Sequence, residues 1–149
     1  MRSELVLVSL KLKDWKSYEE ADLNIDPLTV LIGTNAGGKS NALDALAFLN
    51  RTVSGLSITS CLSGDANIEP LRGGPEWASR NHGESFKLGV IVREDETTDY
   101  EYSIECSVSE GRCEVSSEEL IRKKFRFKKG NARKEIGQVS LFRTDQSII

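Results

Sequence analysis

Eight consecutive residues, Gly33-Thr34-Asn35-Ala36-Gly37-Gly38-Lys39-Ser40, fit the spacing G-x-x-x-x-G-K-[ST] without a mismatch. Each residue type in that pattern has a use against a polyphosphate. Gly33, Gly37 and Gly38 carry no Cβ, so the loop can turn its N–H groups inward and approach an anion closely. A helix starting near Gly38 adds the positive end of its dipole, a ready phosphate site. Lys39 brings a mobile full charge to the β- and γ-phosphates. The Ser40 hydroxyl is the natural protein ligand for an accompanying Mg²⁺, which prefers oxygen donors and keeps water and phosphate around it. No residue of the chain is assigned a catalytic role.

The pattern has meaning only between a strand and a helix. Leu28, Val30, Leu31 and Ile32 form a short, partly β-branched apolar run and predict a buried strand. Asn41 to Leu49 is rich in helix formers and free of Gly and Pro, with Leu43, Leu46, Ala47 and Phe48 or Leu49 on the face expected to meet a sheet. Upstream, residues 4–13 alternate as a strand does, Asp14 to Tyr18 break the pattern, and Ala21, Leu23 and Ile25 mark a second strand. Asp26-Pro27 then turns the chain. Two strands before the phosphate loop is not the order of a minimal βαβ nucleotide domain.

Beyond Ser54-Gly55 the chain to Glu84 is rich in Gly, Ser and Asn and supports at most short elements. Alternation returns at Phe86, Leu88, Val90 and Val92, and again at Tyr100, Tyr102, Ile104, Cys106 and Val108. Glu110-Gly111 suits a two-residue hairpin turn. That register sets Val108 opposite Cys113 and Cys106 opposite Val115, all on one apolar face. Ser116 and Glu119 have capping-box spacing and predict a short helix through Leu120 and Ile121. Phe125, Phe127, Ile136, Val139 and Leu141 suggest one or two last strands.

Three cysteines, Cys61, Cys106 and Cys113, lack metal-ligand spacing and favour a reducing, cytoplasmic setting over a disulfide framework. No apolar run is long enough to cross a membrane, so no membrane partner is expected. The formal net charge is −3, yet Arg122 to Lys134 holds eight basic residues and no acid. This stretch is a possible nucleic-acid contact. The plainer reading is a solvated hairpin with Phe125 and Phe127 turned inward.

The chain resembles the N-terminal part of an SMC/RecF-type ATPase of the ABC-related class, and more narrowly the AAA15/OLD-like ATPases. Leu10-Lys11-Leu12-Lys13-Asp14-Trp15-Lys16-Ser17-Tyr18 carries the likeness, together with Leu28 to Leu46, in which Asn35 and the Ser40-Asn41-Ala42-Leu43 tail are the more specific parts. Leu71-Arg72-Gly73-Gly74, the Tyr100–Tyr102 strand and Glu119-Leu120 add weaker similarity. The resemblance implies an α/β, ABC-like lobe I: a mixed sheet around the P-loop helix plus an antiparallel β-subdomain, in an incomplete head. It divides the chain into residues 1–53 with the P-loop, a loop-rich insertion at 54–84 and the β-subdomain at 85–149. It implies ATP and Mg²⁺ as cofactors, with Gly33 to Asn41 binding nucleotide and Ser40 binding metal. Lys16, in the basic turn, would reach the phosphates or else stand in solvent. A missing C-terminal lobe or a second head is the expected partner, and DNA transactions or bacterial defence the expected setting. The competing readings are a nucleic-acid-binding module with a regulatory nucleotide site and a small standalone P-loop NTPase.

Hydrolysis in such a head also needs a Walker B acid pair, a signature motif and a switch histidine. Gly89 to Glu96 imitates the first, but Arg93 interrupts it and its alternation marks a half-exposed antiparallel strand. Leu62-Ser63-Gly64-Asp65 imitates the second, but Pro70 and Pro75 forbid the long helix that should follow. His82 lies in a polar loop, and Gln138 and Gln146 are weak candidates for a Q-loop. The chain stops at Ser147-Ile148-Ile149, apolar and uncapped, which predicts a truncated or separately encoded lobe I, and the missing motifs predict that it binds ATP without turning it over.

Overall fold

A computed structural model describes residues 4–34 and 37–145. Its strands are β1 (Val6–Trp15), β2 (Tyr18–Asn24), β3 (Ser85–Asp95), β4 (Thr98–Ser109), β5 (Arg112–Phe127) and β6 (Arg133–Asp145). They form one six-stranded antiparallel sheet in the order β2-β1-β3-β4-β5-β6. Helices α1 (Lys39–Val53) and α2 (Ile58–Ser63) pack on the sheet, giving a mixed α/β architecture. None of the helices among the described residues is long and apolar enough to cross a membrane.

The core forms where the inward residues of β1, β3 and β4 meet α1. Leu10, Leu12, Phe86, Leu88 and Ile104 are buried against Ala42, Ala45 and Phe48. At its centre stands Trp15, fully buried, with ring centroids 5.9 Å from Phe48 and 4.9 Å from Phe86. Asp14, in the left-handed region at φ 50°, interrupts the two-residue alternation, so Trp15 rather than Asp14 turns to the core. The expected polar break is therefore short: β1 and β2 join at the Trp15–Tyr18 pair, and Trp15 is the heart of the packing.

The β4–β5 hairpin has the expected register, Val108 opposite Cys113 and Cys106 opposite Val115. Glu110 and Gly111 both take positive φ, 50° and 72°, as a type I′ turn requires. The three cysteines are free and buried.

Three expectations are corrected. Ser116 to Ile121 is not a helix but the middle of β5. Ser116 donates its hydroxyl across a bulge to the Glu105 carbonyl at 3.0 Å, and Glu118 accepts from Tyr102 Oη at 2.6 Å. Ser116 and Glu118 thus serve cross-strand bonds, Glu119 lies opposite Arg143 in the β5–β6 ladder, and tertiary pairing overrides the local helix signal. Leu28 to Ile32 is not a buried strand: no strand is assigned there, and Leu28 and Ile32 are 84% and 90% exposed. A ladder needs a neighbour, and among the described residues this run has none. On α1 the expected Leu46, Ala47, Phe48 and Leu49 do pack on the core, joined by the buried Ala42 and Ala45, whereas the expected Leu43 is 57% exposed. The small alanines let the helix approach the sheet, leaving Leu43 on the opposite side.

The segment 54–84 holds only short elements, as expected, yet it is built into the fold. Ser57 caps α2 through Ser60 N, and Cys61, Leu62, Leu71 and Ala78 are buried. Single 3-10 turns follow at Pro75–Trp77 and Arg80–His82. The backbone of Lys16 donates to the Ala78 carbonyl at 2.9 Å, which pins this segment beside the β1–β2 turn.

Candidate functional site

The residues assigned to phosphate binding meet at the start of α1. Gly38 occupies the N-cap in the left-handed region, φ 82°. A Cβ there would lie 2.9 Å from Ser17 Oγ and 3.2 Å from Tyr18 Oη, so only glycine fits both the angle and the space. Tyr18 Oη donates to the Gly38 carbonyl at 3.0 Å, and Gly37 N donates to the Thr34 carbonyl at 2.9 Å. No side chain caps the helix and no acid lies in its first turn, so the helix N-terminus keeps its positive character.

Lys39 folds back on the loop, with Nζ donating to the Gly33 carbonyl and, at 2.7 Å, to the Thr34 carbonyl. Ser40 is exposed in the first turn. Asn35 and Ala36 lie outside the described residues. Asn41 donates through Nδ2 to Ser17 Oγ at 2.8 Å, and its carbonyl accepts Trp15 Nε1 at 2.7 Å. The core tryptophan is thereby tied directly to the first turn of the helix.

Lys16 neither stands in solvent nor projects freely. Its side chain is nearly buried, with Nζ 2.8 Å from Asp44 Oδ2 and 2.9 Å from the Arg72 carbonyl. Arg72 reaches the same Asp44 oxygen at 3.1 Å and Asn41 Oδ1 at 3.4 Å. Burial pushes the Asp44 carboxyl up, but hydrogen bonds from Lys16 and Arg72 outweigh it and hold the carboxyl below its ordinary value. Asp44 thus orients two cations at the mouth of the site. The sequence contained these residues within its family-like runs, but no spacing rule joins positions 16, 44 and 72.

A cavity of about 470 Å³ adjoins this corner, lined by Lys16, Asn41, Arg72, Trp77, Ser79 and His82 among others. Trp77 is 60% exposed, and its ring lies 4.6 Å from that of His82. His82 Nδ1 is 3.1 Å from the Glu76 carbonyl, so the single histidine belongs to the cavity wall.

The donor set fits a phosphate: an uncapped helix end, an ammonium and a hydroxyl. It does not make a metal site by itself, since no group of three His, Cys, Asp or Glu side chains that could hold an ion occurs among the described residues. A magnesium ion would be held at Ser40 only together with the phosphates it accompanies.

The basic stretch proves to be divided. Lys123 bonds Glu101 at 2.6 Å, Lys124 donates to Thr98 Oγ1 at 2.6 Å, and Arg133 clamps Asp99 at 2.8 and 3.0 Å while stacking on Phe125 at 4.1 Å. Arg126, Lys128, Lys129 and Lys134 are exposed around the β5–β6 turn, and Phe127 is 42% exposed rather than packed inward. Gln138 sits in β6 opposite Lys123, and Gln146 lies outside the described residues.

A glycine-rich loop entering an uncapped helix on an α/β scaffold is the arrangement of a P-loop-type domain. The chain belongs to the AAA ATPase domain family, whose model matches residues 6–140. It is also similar to proteins named DNA replication and repair protein RecF. The identity is 43% over 49 residues in Roseiflexus castenholzii, covering 32% of this chain and 12% of that protein. In Lactobacillus johnsonii it is 43% over 49 residues, 32% and 13% of the two chains, and in Gloeobacter violaceus 48% over 46 residues, 30% and 12%. The matched part is thus about an eighth of each relative's length.

Proposed function

We propose that this chain is the ATP·Mg²⁺-capturing lobe of an SMC/RecF-like ATPase head, cytoplasmic and engaged in DNA transactions, and that it does not sustain hydrolysis alone. One observation carries the reading: Gly38, Lys39 and the uncapped start of α1 form a cradle whose only strong charge is a lysine resting on loop carbonyls. Lys39 exchanges the Gly33 and Thr34 carbonyls for phosphate oxygens, a stronger charge-assisted bond. Ser40, exposed in the first turn, would offer its hydroxyl to a Mg²⁺ accompanying those phosphates, which would help neutralise their charge. The neighbouring cavity takes the nucleoside, with the exposed Trp77 ring as an apolar wall and Lys16 and Arg72 held in place by Asp44.

The exposed run Leu28–Ile32 and the outward Leu43 support the lobe being completed by further strands, from the remainder of a longer polypeptide or a second head. Asp44, one helical turn after Ser40, is held by Lys16 and Arg72, which supports binding without turnover.

Calorimetric titration of the purified chain with ATP, with and without Mg²⁺, tests the proposal. Saturable, Mg²⁺-enhanced binding weakened at least about tenfold by Lys39→Ala is expected, since charge-assisted bonds of this kind are worth about 1.5–3 kcal/mol. Absence of binding by the parent chain overturns it. Steady phosphate release that disappears in Lys39→Ala would overturn the limit to binding.

The exposed Arg126, Lys128, Lys129 and Lys134 favour a second reading, DNA contact at the hairpin tip. Affinity should then fall steeply with salt and drop on reversing Lys128 and Lys129. An unchanged affinity in that double variant excludes the tip.

A further inference from the structure

The hairpin of β5 and β6 outruns the rest of the sheet. Pairing of β4 with β5 ends at Thr98–Lys124, whereas β5 and β6 continue through Phe125–Glu135 and Arg126–Lys134 to Phe127–Arg133. Lys128 N donates to the Ala132 carbonyl at 3.0 Å, and Gly130 and Asn131 take positive φ, 98° and 61°, as the turn closes. Past Phe125 the hairpin is a two-stranded ribbon, with no third strand beside it among the described residues.

Two features of this ribbon are left unspent by the fold. Arg126 and Lys134 are exposed, stand directly opposite each other in the ladder and join no ion pair among the described residues. Like charges so placed repel each other. Lys128 and Lys129, exposed at the turn, add two more charges, and the next acid along the chain is Glu135, set back opposite Phe125. The second feature is Phe127. By strand alternation it shares a face with Phe125, but the two rings are treated differently. Arg133 lies over the Phe125 ring at 4.1 Å and commits its nitrogens to Asp99 and the Glu96 carbonyl. Phe127, directly opposite Arg133 in the ladder, stays 42% exposed, with no ring or cation partner among the described residues.

Both features suit one kind of partner. Unpaired cations attract phosphates, but phosphates alone leave the ring idle. In a duplex each base face is covered by its neighbours, and a phenyl ring has no group with which to read base edges. An unpaired base offers its face to the ring while its flanking phosphates meet the cations. We propose that the hairpin tip binds single-stranded nucleic acid, with one base stacked on Phe127 and the neighbouring phosphates held by Arg126, Lys128, Lys129 and Lys134. This inference rests on the DNA contact at the tip and goes beyond it by naming the strand state and the residue that senses it.

Fluorescence anisotropy on the full chain tests the proposal, using a labelled oligothymidylate of about 15 nucleotides, its duplex with oligoadenylate, and an abasic strand of equal length. Phe127→Ala should weaken the oligothymidylate about tenfold and leave the duplex and the abasic strand unchanged. Phe127→Leu, apolar but without a ring, should behave like Phe127→Ala, whereas Phe127→Tyr should bind like the parent. None of the three should alter the salt dependence, because the phosphate contacts remain. Reversing Lys128 and Lys129 should instead weaken all three ligands and flatten that dependence. Circular dichroism checks that every variant is folded. If Phe127→Ala binds the oligothymidylate as well as the parent does, or weakens all three ligands alike, base stacking is overturned while the phosphate contact stands. A parent chain that binds none of the ligands overturns the DNA contact itself, and this inference with it.

Discussion

At the scale of residues, the start of α1 depends on contacts made by positions far away in the chain. Gly38 needs its positive φ and the space beside Ser17 and Tyr18. Gly38→Ala should cost about 1–2 kcal/mol for the left-handed angle alone, more with the clash, read as a lower urea midpoint. Trp15 is the larger anchor: fully buried, in contact with two phenylalanine rings and bonded to the Asn41 carbonyl. Trp15→Ala should cost about 3–5 kcal/mol. Asp44 offers a test of the cation cluster. Lys16→Met removes one of the two groups holding its carboxyl low while burial remains, so the Asp44 midpoint should rise in an NMR titration. An unmoved midpoint would mean that Arg72 alone sets it.

At the scale of elements, the strongest statement concerns the run that leads into the phosphate loop. Ile32 is almost fully exposed, whereas Leu88 in β3 is fully buried. Ile32→Ser should change the stability of this chain by no more than about 0.5 kcal/mol, while Leu88→Ala should cost about 2–5 kcal/mol. A large loss for Ile32→Ser would show that the run is packed in solution. The alternating runs at 4–13, 85–92 and 100–108 and the Glu110-Gly111 turn were legible in the sequence, because period two and a two-residue turn encode their own register. The Ser116–Glu119 signal misled because a capping box is local, and β5 gains more from pairing with both β4 and β6 than a short helix could. The exposure of Leu43 was also invisible: Leu43 and Ala42 both fit an apolar face, and only the sheet decides which is covered.

At the scale of the whole molecule, charge is organised around buried carboxylates. Asp99 is nearly buried between Arg93 and Arg133, and Glu101 bridges Lys11 at 3.0 Å and Lys123 at 2.6 Å. For Asp99 and Glu101, as for Asp44, burial raises the carboxyl but the paired cations more than compensate, and the folded value lies below the ordinary one. The unfolded chain therefore binds more protons in acid than the folded one. These pairs stabilise fully above the ordinary carboxylate range and lose their contribution as pH falls through the lower folded values. Stability should be nearly flat from pH 7 to about 5 and decline below about 4. Asp99→Asn should lower stability at pH 7 and reduce the acid slope, both measurable by urea unfolding across pH.

What the sequence determined by itself was chemistry and period. The glycine spacing, Lys39 and Ser40 predict a phosphate cradle because each would act through its own backbone freedom, charge or hydroxyl. The alternating runs define strands because side-chain direction repeats every two residues. Tertiary structure alone decided what those parts are joined to. It brought Lys16, Asp44 and Arg72 together across 56 positions of sequence, set Trp15 beneath the helix start, tied Lys123 and Arg133 of the basic stretch into structural ion pairs, and left Leu28–Ile32 without a neighbour among the described residues. The reason is that burial and strand pairing depend on which distant segments arrive, and no local pattern records that.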